Sequence, residues 1–351
     1  MSVKVGIVGG SGYAGGELIR LLLQHPRVEV AWATSRADKD LETVHRNLLG
    51  SGLRFTREEE AGDCDVVFFC MPSCESMTRA PRYLERGIKV VDVGSDFRLK
   101  NKAVFEQVYG AAHACWDLVK ESPYGATELH RAEIAQARLV ANPGCFAYTM
   151  ILSLAPLVKA GWIDLDRIVV TGLTGTSGAG AEPKLASQHS EMANSAFPYN
   201  VVDHRHTYEV EQELSVLAGV DVKVHFTPIF CPFTRGILAS CHGFATRKVS
   251  REEVLALYEA FYEAEPFVGV IAAAKDPSVS WEYLPYPNVA HLMGSNYVQI
   301  GIDVDPQRGR IVAVGALDNL GKGAASSAIQ NMNCMLGFAD EEGLRGRGLH
   351  P

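Results

Sequence analysis

Apolar positions in the first 144 residues cluster into short, nearly continuous runs. Runs of this kind, without polar alternation, are typical of parallel strands that are buried on both faces. Helical spacing follows the first run, at 17–24. We therefore predict a Rossmann-type, doubly wound parallel α/β sheet for 1–144. Its strands should lie at 3–8, 28–33, 65–71, 90–94 and 138–140.

The pattern changes after residue 145, where apolar and polar residues alternate through several segments. The segments 297–304 and 310–317 alternate on either side of a turn that contains a proline and a glycine, which predicts a hairpin. Further strands are expected at 168–174, 222–229 and 236–246, and helices at 146–159, 203–217, 251–265 and 324–336. This order predicts an α+β domain over 145–317 with a mainly antiparallel sheet. We expect 318–351 to return to the first domain.

Composition narrows the functional classes. The chain has 47% hydrophobic and 21% charged residues and a net charge of −8, which argues against a nucleic-acid groove. No apolar run approaches the length of a membrane span, and the N-terminus enters a strand directly, so we expect no membrane segment and no signal peptide. The eight cysteines are scattered without a CxxC pair. This pattern favours free thiols in a reducing cytoplasm over a disulfide framework or a metal site.

A glycine-rich loop follows the first predicted strand and precedes a helix. This context favours a dinucleotide cradle in which backbone N–H groups meet a pyrophosphate, although a tight turn without a ligand would have the same spacing. The second strand ends in Ser35 and Arg36 and not in an acid, and a hydroxyl with a guanidinium suits the 2′-phosphate of NADP(H). The predicted cofactor-binding residues of the loop are Gly9, Ser11, Gly12, Tyr13, Ala14 and Gly15.

The predicted catalytic residue is Cys145, which follows a Pro-Gly pair and opens a helix. Backbone N–H groups and the helix dipole favour a thiolate there, so we expect a pKa below the free value of about 8.5. A buried structural cysteine is the competing interpretation. His206, two residues after His204, could act as an acid–base beside such a thiol, or it could be a solvated or capping residue. No third ligand with sensible spacing suggests a metal.

Ligand-binding residues are expected where parallel strands end. Pro72 follows one predicted strand, and Ser95 and Arg98 follow the next. The loop at 175–183 is rich in small residues, which favours a close approach by a ligand over a flexible linker. We therefore add Pro72, Ser177 and Gly178 to the predicted cofactor contacts, and Ser95 and Arg98 to the predicted substrate contacts. Asn319 precedes the last predicted helix, which we expect to pack on the first domain and to bring Asn319 near the nicotinamide, so it is a further predicted cofactor contact. Arg235 is a further predicted substrate contact, because a guanidinium binds a carboxylate at two points.

Several motifs, in order along nearly the whole chain, resemble the N-acetyl-γ-glutamyl-phosphate reductases of the semialdehyde dehydrogenase superfamily. They lie at 9–18, 96–99, 142–145, 176–180, 204–207, 234–238, 294–297 and 318–320. The resemblance implies an arginine-biosynthesis enzyme that uses NADPH, with Cys145 as nucleophile and His206 as acid–base. It also implies a homodimer or homotetramer that forms through the sheet of the second domain.

The sequence also supports other interpretations. The ending 348–351 and the segment 179–182 also resemble a sister group that reduces 2-aminoadipate phosphate or glutamate phosphate attached to a small acidic carrier protein. Aspartate-semialdehyde dehydrogenase fits the motifs less well. A non-catalytic protein that senses NADP is the alternative from another functional class.

Overall fold

The computed structural model describes residues 2–36, 40–273 and 285–349. The chain divides into two compact units. Unit 1 contains Met1–Pro143 and Ala324–Gly346, and unit 2 contains Gly144–Gly323 and Arg347–Pro351. The boundaries therefore lie at 143/144, 323/324 and 346/347, compared with 144/145 and 317/318 in the sequence prediction.

Within the described residues, the strands are β1 Val3–Val8, β2 Val28–Thr34, β3 Phe55–Thr56, β4 Val66–Phe69, β5 Lys89–Asp92, β6 Leu139–Ala141, β7 Ile168–Thr174, β8 Phe197–Pro198, β9 Val224–Phe230, β10 Ile237–Phe244, β11 Val268–Ile271, β12 Val298–Asp305 and β13 Arg310–Leu317. The α-helices there are α1 Tyr13–Leu22, α2 Leu41–Val44, α3 Ser76–Glu85, α4 Lys102–Tyr109, α5 Trp116–Glu121, α6 Thr127–Gln136, α7 Cys145–Lys159, α8 His189–Met192, α9 His206–Ala218, α10 Arg251–Tyr262 and α11 Ser326–Leu336.

Unit 1 contains the predicted parallel sheet. Its strand order is β3-β2-β1-β4-β5-β6, and every pairing is parallel. The chain reverses direction across the sheet between β1 and β4, so the crevice at their carboxyl ends is the expected ligand position in such a fold. The strands are buried as predicted: all four residues of β4 are shielded from solvent. The Rossmann-type fold class is confirmed.

Helix α1 begins at Tyr13, four residues before the predicted start, because the glycines of the motif belong to its first turn. A Cβ on Gly15 would lie 2.6 Å from the Gly9 carbonyl oxygen, and one on Gly16 would lie 2.4 Å from the His45 ring. The glycines are therefore required by close packing of the helix start against the loop and against His45.

The sequence prediction did not place helices α3 to α6 of unit 1. Helix α6 has non-helical torsions at His130, and α5 has only six residues, so neither gives a sustained helical period. Helix α11 packs against α6, α1 and β5 of the same unit. Its Asn331 amide donates to the Gly125 carbonyl at 2.9 Å and to Asn142 Oδ1 at 3.0 Å.

Unit 2 contains a mixed sheet with the order β11-β12-β13-β10-β7-β9-β8. Four of its six pairings are antiparallel, which confirms the mainly antiparallel prediction. The predicted hairpin is present as β12–β13, with Asp305 opposite Arg310. The capping box at Ser250 and Glu253 also opens α10 as expected. Helix α7 is buried along almost its whole length and packs on β10 and β13. Across the described parts of the chain, no helix combines the length and apolar character that a bilayer crossing requires.

Candidate active site

Cys145 is the first residue of α7, a 15-residue helix in unit 2. The first intrahelical bond runs from the Tyr148 N–H to the Gly144 carbonyl at 2.8 Å, and no side chain caps the helix start. The N–H groups of Phe146 and Ala147 precede that bond, so the helix offers them no carbonyl of a previous turn. A developing negative charge on a group bound to the thiol would therefore meet backbone donors and the positive helix end.

Glu209 connects the starts of two helices in unit 2. Its Oε2 accepts the Gly144 N–H at 3.0 Å, immediately before Cys145. Its Oε1 lies 3.9 Å from His206 Nε2, within the first turn of α9. The Glu209 side chain is fully buried and His206 is almost so. One carboxylate therefore places His206 in the neighbourhood of Cys145 and can stabilise that imidazole when it carries a second proton.

Aromatic rings enclose the histidine pair. His204 lies 4.8 Å from the His206 ring, between centroids, and 5.8 Å from Phe146, while Phe226 and Tyr199 complete its surroundings. Burial, with a smaller contribution from Arg205, lowers the pKa of His204 to about 4. Its Nδ1 accepts the His206 N–H at 3.2 Å. His204 is therefore a neutral structural residue that orients the backbone of His206.

Gly323 packs directly on Cys145. A Cβ at this position would lie 2.8 Å from the Cys145 Cβ and 3.2 Å from the Asp318 carbonyl oxygen. The residue lies in a π-helical turn, Gly321–Ala325, and its N–H donates to Asp318 O at 2.9 Å. Turns of this type are often found at functional sites. The turn gives Cys145 a rigid backbone neighbour that leaves no room for a methyl group.

Arg235, a predicted substrate contact, forms a two-point ion pair with buried Asp318. Its Nε donates to Oδ1 at 3.1 Å and its Nη2 to Oδ2 at 2.6 Å. The carboxylate also accepts the N–H groups of Gly294 and Leu320. The pair fixes the guanidinium and leaves its side chain 23% exposed. A role for Arg235 in holding a substrate carboxylate remains a prediction.

Ser177 and Asn319, two predicted cofactor contacts, bond to each other in unit 2. The Asn319 amide donates to Ser177 Oγ at 3.0 Å, and its Oδ1 accepts the Gly236 N–H at 2.7 Å. The loop that contains Ser177 and Gly178 packs at Gly175 against the backbone of Thr234: a Cβ on Gly175 would lie 2.6 Å from the Thr234 carbonyl oxygen. Close approach of the protein backbone explains that glycine, and cofactor contact by these residues stays a prediction.

The glycine-rich loop of unit 1 packs tightly against the ends of β2 and β4. The Gly10 N–H donates to the Thr34 carbonyl at 2.8 Å, and the Gly9 N–H to the Thr34 hydroxyl at 3.3 Å. A Cβ on Gly9 would lie 2.3 Å from the Cys70 carbonyl oxygen. No side chain caps α1 at Gly12. The residues thus fit a dinucleotide, with its phosphates on the N-terminus of α1.

Arg36, predicted to bind the 2′-phosphate, lies in unit 1 with its side chain 71% exposed. Its Nη2 pairs with Glu75, and the other oxygen of that carboxylate lies 3.6 Å from Arg79 Nη1. Ser35 precedes Arg36 at the end of β2. A 2′-phosphate at Arg36 would therefore compete with the carboxylate of Glu75.

The predicted phosphate-holding residues follow β5 in unit 1. Ser95 Oγ donates to Ser73 Oγ at 2.7 Å, and Ser73 follows Pro72 in the loop after β4. The Arg98 guanidinium is buried and donates to two carbonyls, those of Asn142 at 2.8 Å and Val93 at 3.0 Å. These bonds anchor the strand end that precedes Cys145. A phosphate contact by Ser95 or Arg98 remains a prediction.

Two family models cover most of the chain. Residues 4–137 match the NAD-binding domain of semialdehyde dehydrogenases, and residues 145–319 match their dimerisation domain. N-acetyl-gamma-glutamyl-phosphate reductases of Moorella thermoacetica and Methanopyrus kandleri are 41% and 43% identical, each over 99% of this chain and 100% of the relative. The chain belongs to the semialdehyde dehydrogenase family. The match to a dimerisation domain indicates that this protein forms homo-oligomers.

Another relative within this family carries a different name. The putative LysW-L-2-aminoadipate/LysW-L-glutamate phosphate reductase of Ignicoccus hospitalis is 41% identical over 98% of both chains. Among solved structures, aspartate semialdehyde dehydrogenase II of Vibrio cholerae complexed with ASA has a TM-score of 0.71 at 20% identity. The match covers 96% of this chain and 98% of the Vibrio cholerae chain. The aspartate semialdehyde dehydrogenase of Candida albicans with NADP has a TM-score of 0.61 at 16% identity, covering 96% and 99%. At such identities the likeness shows a shared fold.

Three residues at the site were not predicted from the sequence: Glu209, Asp318 and Gly323. Glu209 follows His206 by three residues, the spacing that puts two side chains on one helix face, so helical periodicity could have identified it. The pairing of Asp318 with Arg235 spans 83 positions and left no local signal. The same holds for Gly323, whose partner Cys145 is far away along the chain.

Proposed function

We propose that this chain is an NADPH-dependent reductase of N-acetyl-γ-glutamyl phosphate, which it converts to N-acetylglutamate 5-semialdehyde and phosphate in arginine biosynthesis. The observation that carries the proposal is the Cys145–Glu209–His206 arrangement at the start of α7, in a chain whose relatives at about 40% identity are named as such reductases. NADP(H) is the cofactor that the NAD-binding domain and these relatives support.

Acylation begins at Cys145. The thiolate attacks the acyl phosphate carbonyl, and the N–H groups of Phe146 and Ala147 are placed to stabilise the oxyanion, an effect of about 3 kcal/mol per donor in comparable sites. Phosphate leaves with the electron pair of the broken C–O bond. Ser95 and Arg98 are our candidates for holding the phosphate. The product of this half-reaction is a thioester on Cys145.

NADPH, when bound, supplies the hydride that reduces the thioester carbon. His206 then handles the protons: it takes the thiol proton during acylation and exchanges one as the thiohemiacetal collapses to the aldehyde. Glu209 holds the His206 ring and the Gly144 backbone in fixed relation through both steps. Gly9, Gly12, Gly15 and the start of α1 are the residues that would hold the cofactor phosphates, and Arg36 its 2′-phosphate.

The reverse reaction tests the proposal. N-acetylglutamate semialdehyde, phosphate and NADP are mixed with the protein, and NADPH formation is followed by absorbance. We expect turnover that depends on phosphate and is lost in Cys145→Ser, while NADPH binding to that variant is retained. No turnover with the folded protein, or undiminished turnover in Cys145→Ser, would refute the proposal.

A carrier-bound substrate is the second candidate, favoured by the relative from Ignicoccus hospitalis. The discriminating experiment compares free N-acetylglutamate semialdehyde with the aminoadipate analogue and with the same group on an acidic carrier protein. Our proposal requires turnover of the free compound. Turnover of only the carrier-bound compounds would assign the chain to the sister group.

Self-association is proposed to use the face of the unit 2 sheet opposite α7. Alternate residues of β7, β10 and β13 on this face are half-exposed and largely apolar, and Val169 is 42% exposed. Two grooves of about 310 and 270 Å³ lie here. The first includes Val312 and Val314 and the second Leu173 and Leu238. A second copy of the chain would cover them.

Sedimentation velocity tests this surface. Val314→Asp places a charge on the face and is expected to shift the protein towards monomers. Val216→Asp, at an exposed position of α9, is the control and should leave the assembly intact. An unchanged sedimentation coefficient in a folded Val314→Asp protein would exclude this face.

A further inference from the structure

The nucleophile, the base and the oxyanion donors proposed for thioester formation all belong to unit 2, whereas Ser95 and Arg98, the candidates for holding the phosphate, belong to unit 1. Cys145, Phe146 and Ala147 open α7, and His206 and Glu209 open α9. The Gly144–Glu209 hydrogen bond that joins them is internal to this unit. The glycine-rich loop and Arg36 belong to unit 1. The covalent half of the reaction therefore uses a set of residues separate from the set that would hold the nucleotide.

We propose that the protein also catalyses acyl transfer without a nucleotide: it acylates Cys145 from small activated acyl compounds, acyl phosphates and aryl esters, and passes the acyl group to water or hydroxylamine. This inference rests on the proposed function, because it uses the same nucleophile. It adds an activity, a slow esterase and acyl-phosphate hydrolase, that needs neither reduction nor cofactor.

Each step balances without an external redox partner. In acylation, the Cys145 sulfur forms a bond to the acyl carbon, the C–O bond to phosphate or phenolate breaks, and the thiol proton passes through His206 to the leaving group, which restores the neutral imidazole. In deacylation, His206 takes a proton from water as its oxygen bonds the acyl carbon. The C–S bond then breaks and the proton returns to sulfur. The products are a carboxylic acid and phosphate or a phenol.

The geometry also predicts that deacylation is slow. His206 is buried among Phe146 and His204, and Glu209 is fully shielded from solvent. Water therefore has restricted access to the base, whereas a small activated ester can react at Cys145, which is half-buried. We expect the acylated enzyme to accumulate, so product release should show a rapid burst followed by a slow steady rate.

The test uses the full-length protein freed of nucleotide and p-nitrophenyl acetate as the probe. We expect a burst of one p-nitrophenolate per chain, one added acetyl group on the Cys145 peptide by mass spectrometry, and faster steady turnover with hydroxylamine. Cys145→Ser should lose the burst. His206→Ala should lower the burst rate constant roughly 100-fold at unchanged amplitude, the usual scale of general base catalysis. Cys231→Ser, a buried thiol in the same unit, is the control and should behave as wild type.

The outcomes separate the inference from the proposed function. Reductase activity without any nucleotide-free burst would overturn the inference and leave the proposed function standing. A Cys145-dependent burst without reduction of any tested acyl phosphate would support the inference and refute the proposed function. A burst of equal size in Cys145→Ser would also overturn the inference, because the acetyl group would then reside elsewhere.

Discussion

Gly323 provides the sharpest structural prediction, because one added methyl group would act directly on Cys145, the proposed nucleophile. In Gly323→Ala the new Cβ would lie 2.8 Å from the Cys145 Cβ, whereas ordinary contact begins at 3.4 Å. The two atoms must separate by about 0.6 Å. Both are attached directly to backbone, so rotation of a side chain cannot relieve the contact.

Two effects of this substitution can be given magnitudes. Overpacking of this kind costs roughly 1–3 kcal/mol of folding free energy, and the Asp318 carbonyl oxygen at 3.2 Å adds to the crowding. A displacement of the nucleophile approaching 1 Å lowers turnover by up to about 100-fold. We therefore expect kcat to fall roughly 10- to 100-fold, with a smaller change in the Kd for NADPH, since the glycine loop lies in unit 1.

The assay measures kcat in the reverse direction, the rate of Cys145 alkylation by iodoacetamide against pH, and the Tm of each variant. Gly269→Ala is the matched control in unit 2, since its Cβ would have no neighbour closer than 3.7 Å. A folded Gly323→Ala protein with wild-type kcat and an unchanged alkylation profile would refute the reasoning that this glycine positions Cys145.

Three further predictions follow from the geometry. Glu209→Gln should lower kcat roughly 10-fold or more and alter the pH profile of kcat, with little change in KM. Glu211→Gln is the control, because its side chain keeps the hydrogen bond from the Val224 N–H, and it should leave kcat unchanged. Equal effects of the two substitutions in steady-state assays would contradict this prediction. In fluorescence titrations, Arg36→Ala should weaken NADPH binding about 10-fold and leave NADH binding unchanged, whereas Glu75→Gln should strengthen NADPH binding. Equal losses of affinity for both nucleotides in Arg36→Ala would exclude a contact between Arg36 and the 2′-phosphate. The pKa of His204 is lowered to about 4 in the folded protein, against an ordinary 6.5, so the unfolded chain binds a proton at this side chain at higher pH than the folded chain does. The stability that the neutral imidazole contributes is therefore complete above pH 6.5 and is lost as the pH falls towards 4. The wild-type free energy of unfolding, measured with denaturant, should fall between pH 6.5 and 4, and His204→Phe should make that fall smaller by roughly 3 kcal/mol. Parallel pH dependences of the two proteins would contradict this prediction.

The sequence predicted the elements whose signals are local. Buried runs such as Val66–Phe69 and alternating segments such as Arg310–Leu317 identify strands because burial imposes their period. The glycine loop and the position of Cys145 were likewise evident, since glycine and proline report tight backbone turns. Both sheets and the place of Cys145 at a helix start therefore followed from short stretches of chain.

The rest depended on contacts between distant residues. Arg98 was predicted on the basis of its position after β5, but its bonds to the Asn142 and Val93 carbonyls depend on how β6 ends beside it. Arg235 has a partner 83 residues away, and Gly323 contacts Cys145 across an even longer separation. A single sequence carries no signal for such pairs, because each partner alone resembles an ordinary surface arginine or a flexible glycine.

Observation of the acyl group during a single turnover tests the central claim most directly. Enzyme in excess is mixed with N-acetylglutamyl phosphate and NADPH, quenched over a time series, digested and examined by mass spectrometry. The account predicts that an N-acetylglutamyl group appears on the Cys145 peptide before the aldehyde forms, and disappears at the rate at which NADPH is oxidised. Aldehyde formation at full rate with no acyl group on Cys145 at any time would contradict it.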